Sequence, residues 1–156
     1  MNALHHLAPG GGLFANRTLW IALLAWIIAQ VWKFLGRLLL DRKFEPALLW
    51  APGGMPSAHS ALVAALAISV GMNVGFNSPD FAIATGIAMI VMYDAAGIRQ
   101  AAGKHARVIN RIVDELLSGY PVTEDRLREI LGHTPLQVVV GGMLGALSAW
   151  LLNLWL

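Results

Sequence analysis

The sequence contains no cysteine, and this absence removes three kinds of chemistry. No disulfide can form, no thiolate can bind a metal, and no cysteine can act as a nucleophile. Charged residues are also scarce, at 13% of the chain, compared with about 25% in ordinary soluble domains. Hydrophobic residues make up 57% of the 156 residues, more than a soluble domain of this size could bury. The composition therefore predicts an integral membrane protein.

Basic residues are too few and too scattered to indicate a nucleic-acid partner. The formal charge is only +2, and the Lys and Arg residues form no patch with interleaved aromatic side chains. The first residues, 1–17, also lack the basic start, apolar run and cleavage site of a signal peptide. The expected partner is thus the lipid bilayer itself.

Four apolar segments are each close to the roughly 20 residues that a helix needs to cross a bilayer. They predict an all-α protein whose residues 1–156 form a single transmembrane domain. A polar connector between the last two spans has apolar residues at helical spacing, which predicts an amphipathic cytoplasmic helix. The predicted spans are about 18–40, 57–76, 81–98 and 134–156, and the connector is about 99–133.

The last span carries a pair of glycines, Gly141 and Gly145, one helical turn apart. Small residues at this spacing allow two helices to approach closely. The pair predicts a helix contact, either inside the chain or across a homodimer.

Charge placement predicts the orientation in the membrane. Four alternating spans put both chain termini on one side and both connectors on the other. Of the 11 Lys and Arg residues, only Arg17 lies on the terminal side. Because cytoplasmic connectors are enriched in Lys and Arg, the connector side is predicted to be cytoplasmic. The termini would then face the periplasm or exterior of a bacterial inner membrane.

The same topology brings several polar residues to one membrane face. His59 begins the second span, His133 begins the fourth, and Asp94 and Arg99 lie near the end of the third. Arginine and the N–H groups of a helix start bind phosphate oxygens, and two histidines can serve as nucleophile and general acid. A single histidine at headgroup depth would be ordinary, but two in matched positions predict a phosphate site.

Three ordered motifs resemble the divergent branch of the type 2 phosphatidic acid phosphatases, which are relatives of the vanadium-dependent haloperoxidases. The motifs are GMPSAHS at 54–60, YDAAGIR at 93–99 and LGHTP at 131–135, within a resemblance that covers about residues 33–145. The resemblance implies a helical core and hydrolysis of a phosphate ester through a phosphohistidine, without a metal cofactor. The implied substrate is a phospholipid or an isoprenoid phosphate or pyrophosphate.

The resemblance also implies a role for each site residue. His133 would attack phosphorus, and His59 would protonate the leaving group. The residues expected to hold phosphate oxygens are Ser57, the backbone of Ala58, Lys33 and Arg99.

Two further residues are expected to support the site. Ordinary members of the superfamily have a carboxylate that orients the nucleophilic histidine, and Gln137 stands at that position here. An amide oxygen can accept the ring N–H but lacks the charge that would stabilise an imidazolium. Asp94 is expected to pair with Arg99 or with a cation, because a carboxylate at membrane depth is costly to leave alone.

Two other functions stay open on the sequence alone. Asp94 and acidic residues of the connector could bind Mg²⁺ in a phosphoryl or phospho-alcohol transferase, because hard cations prefer oxygen ligands. Those acidic residues are Asp114, Glu115 and Glu129. Alternatively, a non-catalytic protein that binds or transports an anion or a lipid would keep the pocket without turnover.

Overall fold

The computed structural model describes residues 12–40, 42, 54–116 and 133–155, apart from the side chains of residues 40 and 98–100. Its helices are α1 (Arg17–Leu40), α2 (Ala58–Val74), α3 (Pro79–Ala96), α4 (Ile98–Leu116) and α5 (Pro135–Trp155), preceded by a short 3-10 helix at Leu13–Ala15. These ranges contain no β-strand, so the predicted all-α fold is confirmed.

Three helical stretches of the described chain are long and apolar enough to cross a membrane, namely Arg17–Leu39, Pro79–Leu116 and Pro135–Trp155. The fourth apolar helix, α2, has only 17 residues and measures about 26 Å at 1.5 Å per residue. Large apolar side chains such as Trp32, Ile90 and Trp150 are exposed on the surrounding helices, as lipid contact requires. The chain is an all-α membrane protein.

The central element of the bundle is α2, which packs against α1, α3 and α5. Its buried residues are almost all small, namely Ala58, Ser60, Ala61, Val63, Ala65, Ala67, Ser69 and Gly71. Small side chains allow neighbouring backbones to come close, which is how helices associate in lipid without a hydrophobic driving force. The shortest apolar helix is therefore the one that the other three surround.

The contact between α2 and α5 is especially close at two glycines. A methyl group added to Gly145 would lie only 2.6 Å from the Ala61 Cα, and it would also overlap the Ala61 carbonyl oxygen. A methyl group on Gly141 would lie 3.0 Å from the Ser57 backbone nitrogen. The glycine pair noted in the sequence is therefore used for packing inside the chain.

Polar side chains join three helix ends at one end of the bundle. The Asn73 amide at the end of α2 donates to Thr18 Oγ1 (3.2 Å) in α1 and to Asn153 Oδ1 (3.0 Å) in α5. Arg17 Nη2 donates to the Asn153 carbonyl oxygen at 2.6 Å. The start of α1 thus meets the ends of α2 and α5, so the end of α1 and the starts of α2 and α5 lie at the opposite end.

The third helix runs back toward that opposite end. It begins at Pro79, two residues before the predicted span, because Ser78 Oγ accepts from the Phe81 N–H (3.1 Å) as an N-cap and proline suits the first helical position. The Phe76 and Phe81 rings meet edge to face at 5.1 Å and cover Gly71. Only Gly97 separates the end of α3 from the start of α4.

We expect Gly145→Ala to destabilise the protein, because its methyl group would overlap the α2 backbone. Overpacking of this kind costs about 1–3 kcal/mol. The matched control is Gly86→Ala in α3, where an added methyl meets no atom within 4 Å. Because alanine is the better helix former, the control should be neutral or stabilising by up to about 1 kcal/mol. Thermal unfolding in detergent measures both, and equal stability of the two variants would contradict the α2–α5 contact.

Candidate functional site

The start of α2 is fixed by Ser57, which is fully buried. Its Oγ accepts from the Ser60 N–H at 3.4 Å and from the Ser60 hydroxyl at 3.0 Å, so Ser57 caps the helix. The Ser57 N–H donates to the Gln137 carbonyl oxygen at 3.1 Å. This backbone bond ties the start of α2 to the first turn of α5. The first-turn N–H groups that an anion could use therefore begin at Ala58.

The start of α5 is a capping box made by Thr134 and Gln137. The Gln137 N–H donates to Thr134 Oγ1 at 3.3 Å, and the Thr134 N–H donates to Gln137 Oε1 at 3.0 Å. This reciprocal pair satisfies two N–H groups that the helix itself leaves without partners. The cap thus fixes the side chain of Gln137 against the helix start.

The same Gln137 oxygen also lies 3.3 Å from Nδ1 of His133. Because this atom accepts from the Thr134 N–H, it is the amide oxygen and not the amide nitrogen. In the neutral ring, an acceptor at this position favours the tautomer that has its proton on Nδ1 and its lone pair on Nε2. His133 is only 6% exposed, so protein atoms cover nearly all of this residue.

Lys33 lies in the second half of α1, and the segment that precedes α2 packs against its side chain. The residue is only 4% exposed, although its side chain ends in an ionisable amine. Gly54 has a left-handed backbone (φ +81°), and a Cβ at this position would lie 2.9 Å from Lys33 Cδ. The backbone before α2 therefore lies directly on the aliphatic stem of Lys33, and only glycine fits there.

A cavity of about 760 Å³ lies between the last part of α3 and the first part of α5. Its lining is almost entirely apolar and includes Met92 and Val139, with Asp94 as its acidic member. Pro135 also lines it, two residues after His133. The cavity therefore runs from the start of α5 along the membrane-crossing helices, and Asp94 is part of its lining.

The remaining predicted site residues are placed less completely. His59 is exposed in the first turn of α2, two residues after the capping serine. The methyl group of Ala58 points into an apolar cluster with Ala29 and Ala61. The backbone of Arg99 lies in the first turn of α4, and its side chain lies outside the described part of the structure.

Contacts thus join several of the predicted residues at one end of the bundle. Ser57 bonds to the backbone of Gln137, the Gln137 side chain bonds to His133, and the segment before Ser57 covers Lys33. That His59 and Arg99 complete the same site stays a prediction.

Two residues of this region lie within the motifs at 54–60 and 131–135, but the motifs predicted no individual role for either of them. Thr134 could have been found, because the pattern Thr-x-x-Gln before an apolar run is that of a capping box. Gly54 belongs to a recognisable turn, but its contact with Lys33 depends on how α1 and α2 meet.

The acidic residues considered as Mg²⁺ ligands do not form a cluster in the part of the chain that can be described. No group of three or more His, Asp or Glu side chains lies together among the described residues. Asp94 lines the cavity between α3 and α5, whereas Asp114 and Glu115 are exposed near the end of α4. Glu129 lies outside the described residues.

Comparison with known proteins gives one family and one relative. A family model described as the divergent PAP2 family matches residues 14–148. The uncharacterized membrane protein YuiD of Bacillus subtilis (strain 168) is 38% identical over 146 residues, which cover 86% of this chain and 92% of that protein. No solved structure matches the chain.

We expect ¹⁵N NMR of histidine-labelled protein to find neutral His133 protonated at Nδ1. Gln137→Ala removes the acceptor of that proton and should shift the tautomer toward the Nε2-protonated form. Thr134→Val is the matched control, because it removes one capping bond, at a cost of about 1 kcal/mol, but keeps the Gln137 oxygen. An unchanged tautomer in Gln137→Ala would contradict the hydrogen bond.

Proposed function

The chain belongs to the divergent PAP2 family, and on this premise we propose that it is a membrane phosphatase that hydrolyses a lipid phosphate or pyrophosphate. The reaction would proceed through a phosphohistidine on His133. The observation that carries the proposal is the 3.3 Å contact between His133 Nδ1 and Gln137 Oε1, because an acceptor at Nδ1 favours the tautomer with the lone pair on Nε2. A histidine nucleophile needs such a basic nitrogen, with the other one held by an acceptor.

The proposed reaction has two steps. In the first, the Nε2 lone pair of His133 forms a bond to phosphorus, and the phosphorus–oxygen bond to the leaving group breaks. His59 donates its proton to the leaving oxygen. In the second, water attacks the phosphorus, His59 takes a proton from that water, and the bond from phosphorus to Nε2 breaks. Inorganic phosphate leaves in this second step and His133 is regenerated, whereas the group released in the first step is the lipid alcohol, or the lipid monophosphate where the substrate is a pyrophosphate.

Phosphate binding would rely on the start of α2 and on two basic residues. A helix start presents N–H groups and the positive end of the helix dipole to an anion, beginning here at Ala58. Because the Ser57 N–H already donates to Gln137, Ser57 would act through its hydroxyl and by fixing the helix start. Lys33 and Arg99 would neutralise the phosphate charge, with Arg99 able to make two parallel hydrogen bonds.

Gln137 would act as a positioning residue in this reaction. Its oxygen orients the His133 ring, but a neutral amide gives less stabilisation than a carboxylate to positive charge on the imidazole. The capping box supplies part of this orientation, since the Thr134 N–H fixes the same oxygen. Asp94 would pair with Arg99 at the end of α3.

A lipid substrate is supported by the apolar cavity between α3 and α5. The cavity extends from Pro135 along α3, so a hydrocarbon chain in it would place a headgroup phosphate near His133. The chemistry suits either a phospholipid or an isoprenoid phosphate. Ten of the 11 Lys and Arg residues lie on the connector side, so the substrate would be bound and hydrolysed at the cytoplasmic face of a bacterial inner membrane. Both chain termini would lie on the opposite side of that membrane.

We expect His133→Ala, purified in detergent, to lose phosphate release from phosphatidic acid and from an isoprenoid pyrophosphate. Removing an active-site nucleophile typically lowers the rate by several orders of magnitude, because no other group forms the covalent intermediate. Denaturing the unaltered protein in detergent at alkaline pH, after brief exposure to radiolabelled substrate, should also trap a phosphoprotein that is stable in base and loses its label in acid. The matched control, His5→Ala, lies on the predicted terminal side and should keep full activity.

Three results would count against this function. Unchanged phosphate release by folded His133→Ala would remove the nucleophile from His133. Activity that requires Mg²⁺ and disappears with a chelator and in Asp94→Asn would indicate phosphoryl transfer at a metal site instead. Tight binding of these lipids without turnover would indicate a binding or transport protein.

A further inference from the structure

The fourth helix has a much stronger separation of apolar and polar sides than the four apolar helices. At 100° per residue one side of the helix carries most of its apolar side chains, together with the exposed His105. We name these apolar side chains the apolar stripe, and they are Ala102, Val108, Ile109, Ile112, Val113 and Leu116. All six are exposed, with Val108 at 57% and Leu116 at 77%. Exposed apolar surface of this kind marks an interaction surface.

The protein covers a different side of this helix. Gly103 is buried, and Ala106 and Asn110 are half-buried, although none of the three belongs to the apolar stripe. They lie along a neighbouring side of α4. The packing that α4 makes within the described structure therefore leaves the apolar stripe uncovered.

The side opposite the apolar stripe is charged. It carries Lys104, Arg107 and Arg111, together with Asp114 and Glu115 near the end of the helix. Arg111 Nε and Glu115 Oε1 form an exposed ion pair at 3.0 Å. A helix with an apolar side, a charged opposite side that contains several Lys and Arg residues and low overall hydrophobicity is typical of segments that lie in a membrane surface.

The position of α4 in the chain also favours a membrane surface. It follows α3 after the single residue Gly97, and α3 is a membrane-crossing helix with Ile90 and Tyr93 exposed near its end. The start of α4 must therefore lie close to the level at which α3 leaves the apolar part of the bilayer. Lipid headgroups and the upper parts of acyl chains are available at that level.

We propose that α4 lies in the boundary between headgroups and acyl chains of the membrane that α3 crosses. The apolar stripe faces the acyl chains, and Lys104, Arg107 and Arg111 face anionic headgroups. The proposal does not depend on catalysis by His133. Its consequence is that the first turn of α4, which contains Arg99, is held at headgroup depth.

The absence of native cysteine makes a labelling test direct. Ile112→Cys places a single thiol in the apolar stripe, and Arg107→Cys places one on the charged side. Each full-length variant is labelled with an environment-sensitive fluorophore and reconstituted in vesicles of phosphatidylcholine and phosphatidylglycerol. Brominated acyl chains should quench the label at residue 112 several-fold more than the label at residue 107, while aqueous iodide should give the reverse order.

A second pair, Ala102→Cys and Lys104→Cys, repeats the comparison if one of the first variants does not fold. Vesicles of phosphatidylcholine alone should reduce the quenching at residue 112, because the anionic headgroups are then absent.

Iodide quenching of the stripe label as strong as that of the charged-side label would overturn the proposal. A stripe label protected from both quenchers would also overturn it, since the stripe would then be covered by protein or by a second copy. Equal lipid quenching on both sides would show an immersed helix and would overturn it as well.

Discussion

The close approach of α2 and α5 is the constraint on which the rest of the structure depends. Gly141 and Gly145 bring the backbone of α5 against Ser57 and Ala61, and the Ser57 N–H donates to Gln137 across the contact. Because apolar side chains gain nothing by leaving lipid for one another, such backbone proximity and hydrogen bonding hold membrane helices together. The start of α2, which contains His59, therefore lies next to the start of α5, which His133 immediately precedes.

The cap of α5 performs a structural and a chemical task with the same atoms. Gln137 Oε1 accepts from the Thr134 N–H, which stabilises the helix start, and it lies 3.3 Å from His133 Nδ1, where it favours the Nδ1-protonated tautomer of the ring. The hydrogen bond that orients the histidine is consequently supported by the helix and does not depend on a carboxylate. A neutral amide, however, stabilises a positively charged ring less than a carboxylate would.

The sequence predicted what depends on local pattern and on apolar length. The all-α membrane fold followed from long uncharged segments, because a bilayer requires helices of about 20 apolar residues. The family followed from three short motifs. The sequence could not predict the contact of Gly54 with Lys33 or the use of the Ser57 N–H by α5, because both depend on how distant helices meet. The glycine pair of α5 likewise left internal and dimer contacts open until its neighbours were known.

We propose that the starts of α2 and α5 form a single phosphate site, next to the apolar cavity between α3 and α5. The most direct measurement is an experimental structure of the protein with vanadate, which mimics phosphate and its pentacoordinate transition state. The proposed mechanism predicts vanadium bonded to Nε2 of His133, with His59, Arg99 and the first-turn N–H groups of α2 at the vanadate oxygens. Vanadate bound elsewhere, or His133 turned away from it, would contradict this mechanism.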